Sequence, residues 1–436
     1  MHAALPCGAI AFQKRREGSK TFCLENFFVK NILIFSWSLL IGLTTATRTA
    51  RVVDKRPVAS DQGETVRVGA EQTSKYLPLL SGRQAGFVVN HSSRIGGRHL
   101  LDTLQDLDVC IARIYAPEHG LRGGEGAGER VQDETDPHTG APVISLYNRK
   151  KKPLPGDLEG IEIMVFDMQD VGARFYTYIS TLYYVLEACA EQGIPVVVLD
   201  RPNPNGHYID GPVLDMRLHS FVGIAPLPIV HGCTVGELAR LFVGEYWIRQ
   251  PSPLQLTVIP CEGYTHNTRY TLPIRPSPNL LDMRSVLLYP TLCLFEGTTL
   301  SVGRGTETPF QMVGHPDYAD WPFAFTPRSN AGARKPPFQN QVCRGMDFRH
   351  IPMDSLYAMR RINLQWVIDF YQTSPNKAAF FRKDNFFDLL AGAKNLRKQI
   401  EAGWSEQRIR DAWQSDLDAF RGIRKRYLLY ADFIGS

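Results

Sequence analysis

A glutamate and a histidine stand side by side at Glu118-His119, directly after an apolar segment, Val109 to Tyr115, and just before a glycine-rich run, Gly123 to Gly128. A carboxyl that follows an apolar strand is partly shielded from water, and burial favours the protonated form that a general acid needs. The neighbouring imidazole can orient that carboxyl or hold a hydroxyl. Open α/β sheets bind ligands at the carboxyl ends of their strands, so a strand that ends in this pair reads as the rim of an active site. The competing reading is a solvated loop glutamate and a loop histidine. Glu118 is the candidate general acid.

Three other apolar segments end the same way. Gly86 to Val89 runs into Asn90-His91-Ser92, Ile161 to Phe166 into Asp167-Met168-Gln169-Asp170, and Pro195 to Leu199 into Asp200-Arg201-Pro202-Asn203. One such ending is ordinary loop chemistry or helix capping. Four on one edge of a parallel sheet make a crevice lined with carboxylates, amides, imidazoles and a guanidinium. Asp167 and Asp170 are the candidates for a second catalytic carboxylate, with Asp170 alternatively capping a helix that begins near Ala173. Asn90, His91, Ser92, His119, Asp200 and Asn203 are candidate sugar-hydroxyl partners.

Several chemistries are excluded by pattern. There is no G-x-S-x-G elbow, no phosphate loop of the G-x-x-x-x-G-K-[ST] type and no H-E-x-x-H. Gly124, Gly126 and Gly128 fail the dinucleotide fingerprint, because position 129 is Glu. Carboxylate chemistry with polar recognition remains, and glycoside hydrolysis fits it: one protonated carboxyl assists the leaving oxygen while a second group serves the anomeric carbon. A metal-dependent hydrolase built on His119, Asp167 and Asp170 is a rival that lacks ligand spacing. An exported sugar- or muropeptide-binding protein without catalysis is another.

Periodicity indicates the scaffold that carries these residues. Apolar runs at Gly86–Val89, Val109–Tyr115, Pro142–Tyr147, Ile161–Phe166, Pro195–Leu199 and Leu254–Pro260 alternate with helical stretches, as in a parallel sheet with crossovers. Helices are expected at Ala70–Leu80, His99–Leu107, Arg174–Gln192, Thr234–Trp247, Leu364–Tyr371, Phe386–Ile400 and Ile409–Tyr427. Thr234-Val235-Gly236-Glu237 has capping-box spacing. Tyr176 and Tyr178, two apart on one expected helix, are not both able to face a cleft. Pro276-Ser277-Pro278-Asn279 reads as a rigid turn. The stretch from Trp321 to Arg349, rich in Pro, Arg and aromatics, yields no element.

The 436 residues are long for one core, and the net charge of +5 is mild. Part of that charge lies in Arg149-Lys150-Lys151-Lys152, which reads as a solvated turn and not a nucleic-acid site, because no aromatics interleave it. Ile32 to Leu43 is a short apolar run after Lys30 and before small residues, the layout of a secretory signal peptide, although Met1 to Val29 is long for its leading region. Cys110, Cys189 and Cys293 read as core thiols, and no disulfide pair is indicated.

The strings VNHSSRIGG, YAPEHGLRGGEGAGE, VFDMQDVGARFYTYISTLYYVLEA, VVLDRPNPNG, HGCTVGELA, PSPNL and LYPTLCLFEGTTLSVGRGTETPF together resemble the NamZ type of exo-β-N-acetylmuramidase, glycoside hydrolase family 171, formerly a domain of unknown function. The likeness runs from roughly Arg67 to the C-terminus. It implies an α/β fold, a Rossmann-like parallel-sheet N-terminal domain with a smaller α+β C-terminal domain, and a cleft between them. The expected layout is an extension and signal peptide at 1–50, a linker at 51–69, the catalytic domain at 70–285 and the smaller domain at 286–436. The resemblance further implies release of N-acetylmuramic acid from the non-reducing end of peptidoglycan-derived glycans, with Glu118 at the family's proposed catalytic glutamate. Expected partners are muramyl-glucosaminyl saccharides; no cofactor, metal, nucleic acid or membrane anchor beyond the signal peptide is expected. The protein is then exported, periplasmic or secreted. The lactyl carboxylate of such a substrate calls for a bidentate cation, for which Arg174, Arg201 and Arg304 are candidates. Glu296 and Arg304 close the cleft from the second domain or pair with each other. The substrate's own 2-acetamido group can replace the second carboxylate.

Overall fold

The structure is a computed structural model that describes residues 65–122, 134–147 and 150–433. The signal-peptide reading, most of the linker and the Gly123–Gly128 rim lie outside these residues. Twelve strands and eleven α-helices are found among them. The strands are β1 (Ala85–Val89), β2 (Arg94–Ile95), β3 (Arg98–His99), β4 (Ile111–Ala116), β5 (Glu134–Thr135), β6 (Pro142–Ser145), β7 (Ile163–Asp167), β8 (Val196–Leu199), β9 (Leu256–Ile259), β10 (Met312–His315), β11 (Phe323–Phe325) and β12 (Cys343–Asp347). The helices are α1 (Thr73–Leu80), α2 (Leu100–Asp106), α3 (Tyr178–Gln192), α4 (Val235–Gly244), α5 (Met283–Leu292), α6 (Met353–Met359), α7 (Leu364–Gln372), α8 (Phe386–Ala391), α9 (Lys394–Glu401), α10 (Glu406–Asp411) and α11 (Gln414–Arg424).

Seven strands form one sheet in the order β5-β6-β4-β1-β7-β8-β9, parallel except for β5. Strands β1 and β8 are apolar throughout, and β7 up to its last residue, Asp167, because both faces are covered. Their alternate residues go to opposite sides. Phe87 and Val89 of β1, Val165 of β7 and Val197 of β8 enter the core beside α1 and α2, whereas Val88, Phe166 and Val198 enter the core that holds α3 and α4. That second core is continuous with residues of α5, α7 and α11, so elements on both sides of position 285 share it.

The chain leaves β1 for β4 and β6 on one side, then returns to β7 on the other. This reversal makes a switch point, where a crevice opens beyond the strand ends. The endings of β1, β4, β7 and β8 share that edge, as the parallel pattern requires.

The later part carries a three-stranded antiparallel sheet, β10-β12-β11, and most of the shorter helices. Two of its three strands come from the stretch in which periodicity showed nothing. Three expected helices change. The one expected from Arg174 begins at Tyr178, the one over Phe386–Ile400 breaks at Gly392 (φ 72°), and that over Ile409–Tyr427 divides into α10 and α11. Cys110, expected in the core, is exposed: it precedes β4 at the bottom edge of the sheet, and its thiol meets Gln84 Oε1 at 3.1 Å. Cys189 and Cys293 are buried as expected.

Candidate active site

Glu118 sits just past β4, in a turn closed by Gly120 N–H donating to Pro117 O at 3.0 Å. The turn holds His119 at φ 71°, a left-handed conformation that costs a non-glycine residue about 1 kcal/mol. His119 is buried and Glu118 is half-buried. Thr177 stands at the cap position of α3 but does not cap the helix with its side chain. Its hydroxyl instead donates to Glu118 Oε2 at 2.7 Å.

Glu118 lines a cavity of about 940 Å³, within the range of ligand sites. Phe175, Thr177 and Tyr289 line it with Glu118, and Glu296, Arg304, Arg334, Lys335 and Arg382 come from the later part of the chain. Arg304 pairs with Glu296 through Nε–Oε1 at 2.5 Å and Nη2–Oε2 at 3.2 Å. The salt bridge and the cleft position expected for these two therefore coexist. Five cations, Lys151, Arg304, Arg334, Lys335 and Arg382, face two carboxylates, Glu118 and Glu296, among the described lining residues. Among these described residues cations outnumber carboxylates, with Arg304 paired to Glu296 and Arg382 to Asp384 just outside the lining. A second, small cavity continues behind Glu118 and shares Phe175, Thr177, Tyr289 and Arg304 with the first.

His119 lines the small cavity, and the remaining expected site residues lie outside both linings. Asp167 and Arg201 hold each other in a buried bidentate pair, at 2.5 and 2.8 Å. Neither has a face for a substrate in this arrangement. Asp200 accepts from Thr234 Oγ1 (2.7 Å), Gly236 N (2.7 Å), Arg201 N (2.9 Å) and Tyr430 Oη (2.5 Å), tying β8 to the start of α4 and to the C-terminal segment. Burial pushes its carboxyl up to about 6 despite those bonds. Arg174 is wholly buried and donates to the carbonyls of Pro212 (2.8 Å), Leu227 (2.7 Å) and Leu390 (2.8 Å). Burial pushes its guanidinium down to about 9. It was expected on a helix facing the cleft; it precedes the helix and points into the protein.

Asn90, Ser92 and Asn203 shape turns. Asn90 Oδ1 accepts from Ser92 N and Oγ, Ser92 Oγ accepts from Gln169 N at 3.1 Å, and Asn203 bridges Asn205 N and Cys233 O. The His91 ring bonds Arg275 O at 2.9 Å, and burial lowers its pKa. Asp170 does not cap α3. Its Oδ2 accepts from Gly172 N at 2.7 Å and lies 3.6 Å from His231 Nε2, while Oδ1 is buried without a partner. The capping box at Thr234 and Glu237 is present. Tyr176 and Tyr178, thought unable to share a face, both line the small cavity, because Tyr176 precedes the helix.

Sequence reasoning missed Thr177 and the cationic rim. Thr177 lies inside a quoted motif, but within the helix expected from Arg174 nothing marks it as a partner of Glu118. Lys151 belongs to the basic run taken as solvated; it stands 4.5 Å from the centre of the Phe221 ring and lines the cavity. Arg334 and Lys335 fall in the stretch without periodicity.

Fold and site define a class: an α/β protein with a half-buried carboxyl on the wall of a large, polar cavity at a sheet switch point. Comparison with known proteins specifies it. Residues 85–284 match the family model of the N-terminal part of exo-β-N-acetylmuramidase NamZ, and residues 287–430 match that of its C-terminal part. The peptidoglycan β-N-acetylmuramidase NamZ of Bacillus subtilis (strain 168) is 36% identical over 420 residues, covering 92% of this chain and all of the relative. The crystal structure of a DUF1343 family protein from Bacteroides fragilis superposes with a TM-score of 0.79 at 44% identity, covering 85% of this chain and all of the other. A second from the same organism gives 0.69 at 28% identity, covering 84% and 99%. The chain belongs to the NamZ family of exo-β-N-acetylmuramidases and is a glycosidase.

Proposed function

We propose that the protein releases N-acetylmuramic acid from the non-reducing end of peptidoglycan-derived glycans, with Glu118 as the general acid. The observation that carries this reading is Glu118 itself, a carboxyl held by Thr177 Oγ1 at 2.7 Å on the wall of a large cavity whose described lining is rich in Arg and Lys. In this scheme Glu118 gives its proton to the glycosidic oxygen as the bond from C1 breaks. Water then supplies the hydroxyl to C1, and the proton it loses returns the Glu118 carboxylate to its acid form. The lactyl carboxylate of the sugar finds its counter-charge in Arg334, Lys335 and Arg382 on the rim. With Asp167 committed to Arg201, the substrate's acetamido group is the better candidate to serve C1. Such a substrate lies outside the cytoplasm, in keeping with an exported protein.

Glu118→Gln keeps the size and loses the proton. On a chromogenic N-acetylmuraminide it is expected to lose about 10²–10⁴-fold in kcat, with an unchanged circular-dichroism spectrum. A folded Gln variant that turns over near the wild-type rate removes Glu118 from the role.

A further inference from the structure

The small cavity behind Glu118 measures about 60 Å³, a few times the ~15 Å³ that a single water needs. It takes a group of a few non-hydrogen atoms, not a sugar ring. Aromatic rings, among them Tyr176, Tyr178 and Phe310, and the side chain of Leu280 form apolar walls. Its polar lining is Glu118, His119, Thr177 and Arg304 together with the turn Ser277–Leu280, part of the Pro276-Ser277-Pro278-Asn279-Leu280 stretch whose sequence announced only rigidity.

That turn is fixed from behind. Tyr176 Oη donates to Pro276 O at 2.7 Å. Ser277 Oγ accepts the main-chain N–H groups of Asn279 (3.3 Å) and Leu280 (3.2 Å), so its own proton is left for a ligand. Asn279 Nδ2 donates to Gly332 O at 2.8 Å, which orients the amide and offers Oδ1 as an acceptor. The one cation on the described lining, Arg304, is already met by Glu296. A hydroxyl donor, an amide acceptor and close apolar walls complement a secondary amide that ends in a methyl group. They do not complement a carboxylate, whose counter-charges lie in the larger cavity.

We propose that this annex is the subsite for the 2-acetamido group of the sugar, and that Ser277, Asn279 and Leu280 impose the requirement for an N-acetyl substituent. The proposal rests on the muramidase reading and assigns residues to one part of its substrate. Held there, the acetamido group lies beside Glu118 at the face where the anomeric carbon must react.

The test uses chromogenic muraminides that differ only at nitrogen (free amine, N-acetyl, N-propionyl) with wild type, Asn279→Leu, Leu280→Ala and Ser277→Ala. Calorimetry of N-acetylmuramic acid and muramic acid runs in parallel. Wild type is expected to favour N-acetyl over the free amine by ~100-fold or more in kcat/KM, and over N-propionyl by ~10-fold. Leu280→Ala brings N-propionyl to within a few-fold of N-acetyl. Asn279→Leu and Ser277→Ala each lose ~10-fold on N-acetyl and little on the free amine; Ser277→Ala keeps the test alive should Leu280→Ala fail to fold. Equal turnover of all three substrates by wild type overturns the annex and leaves the muramidase reading intact. Turnover of none overturns that reading, and binding then decides the annex: preference for N-acetylmuramic acid supports it, and equal affinity for the two sugars refutes it.

Discussion

The residues that matter divide by what their polar atoms touch. Glu118, Thr177, Glu296 and Arg304 face a cavity, whereas Asp167, Arg174, Asp200 and Arg201 face other protein groups. Arg174 shows the consequence. Its guanidinium supplies donors to three buried carbonyls on separate segments, and Gly392 packs directly on it. Arg174→Met fills similar space and strands those carbonyls, at roughly 1–3 kcal/mol for each buried unsatisfied group. Stability measured by denaturant unfolding is expected to fall by about 3 kcal/mol or more, with KM of the folded fraction unchanged. A raised KM at unchanged stability would return Arg174 to the substrate. The guanidinium's role was not legible in sequence, because a cation near a strand end looks the same whether it meets a ligand or a carbonyl.

At the scale of elements, the polar strand endings mainly fasten the sheet to the helices and loops beyond its edge. Asp200 is the clearest case, linking the end of β8 to the first turn of α4 and to Tyr430. Its folded-state carboxyl, pushed up to about 6 by burial from an ordinary 3.8, holds a proton that the unfolded chain has lost between those values. The folded state therefore binds more protons there, and stability falls as pH rises from about 4 to 6, by on the order of 3 kcal/mol from this group. His207, pushed down to about 4 by burial, acts in the opposite direction over nearly the same window. Comparing Asp200→Asn with wild type isolates the aspartate: the variant is less stable overall, but its stability falls less, or rises more, between pH 4 and 6. Parallel pH profiles for the two proteins would contradict this. The central strands and the capping box of α4 were legible because periodicity and cap chemistry are local. The start of α3 was not, since residues 173–177 are held by contacts far away in sequence, such as Arg174 N–H to Ile229 O. The break at Gly392 carried a visible signal, a glycine inside a helical pattern.

For the whole molecule, a modest net charge conceals a local excess. Five cations from separate parts of the chain converge on one cavity, and only folding brings Lys151 within reach of Arg334, Lys335 and Arg382. Sequence reading showed the Glu118 turn and the Glu296–Arg304 pair of that cavity; Arg334 and Lys335 came from a stretch without periodicity. A focused positive field attracts an anionic substrate and is screened by salt. Raising ionic strength from about 0.05 to 0.5 M is expected to lower kcat/KM several-fold for an N-acetylmuraminide with a free lactyl carboxylate. The analogue masked as its amide is expected to respond little, and Lys335→Ala to flatten the dependence for the acid. Identical salt profiles for acid and amide would place the lactyl group away from the rim.

Acid catalysis by Glu118 is tested most sharply by product analysis on a defined muramyl-glucosaminyl disaccharide, wild type beside Glu118→Gln. The expected result is free N-acetylmuramic acid and N-acetylglucosamine from wild type, with the first-formed anomer reporting which face of C1 the water attacks. The folded Gln variant should release either sugar at least about a hundredfold more slowly. An intact disaccharide after incubation with wild type would refute the muramidase reading, and equal release by the two proteins would refute the role of Glu118.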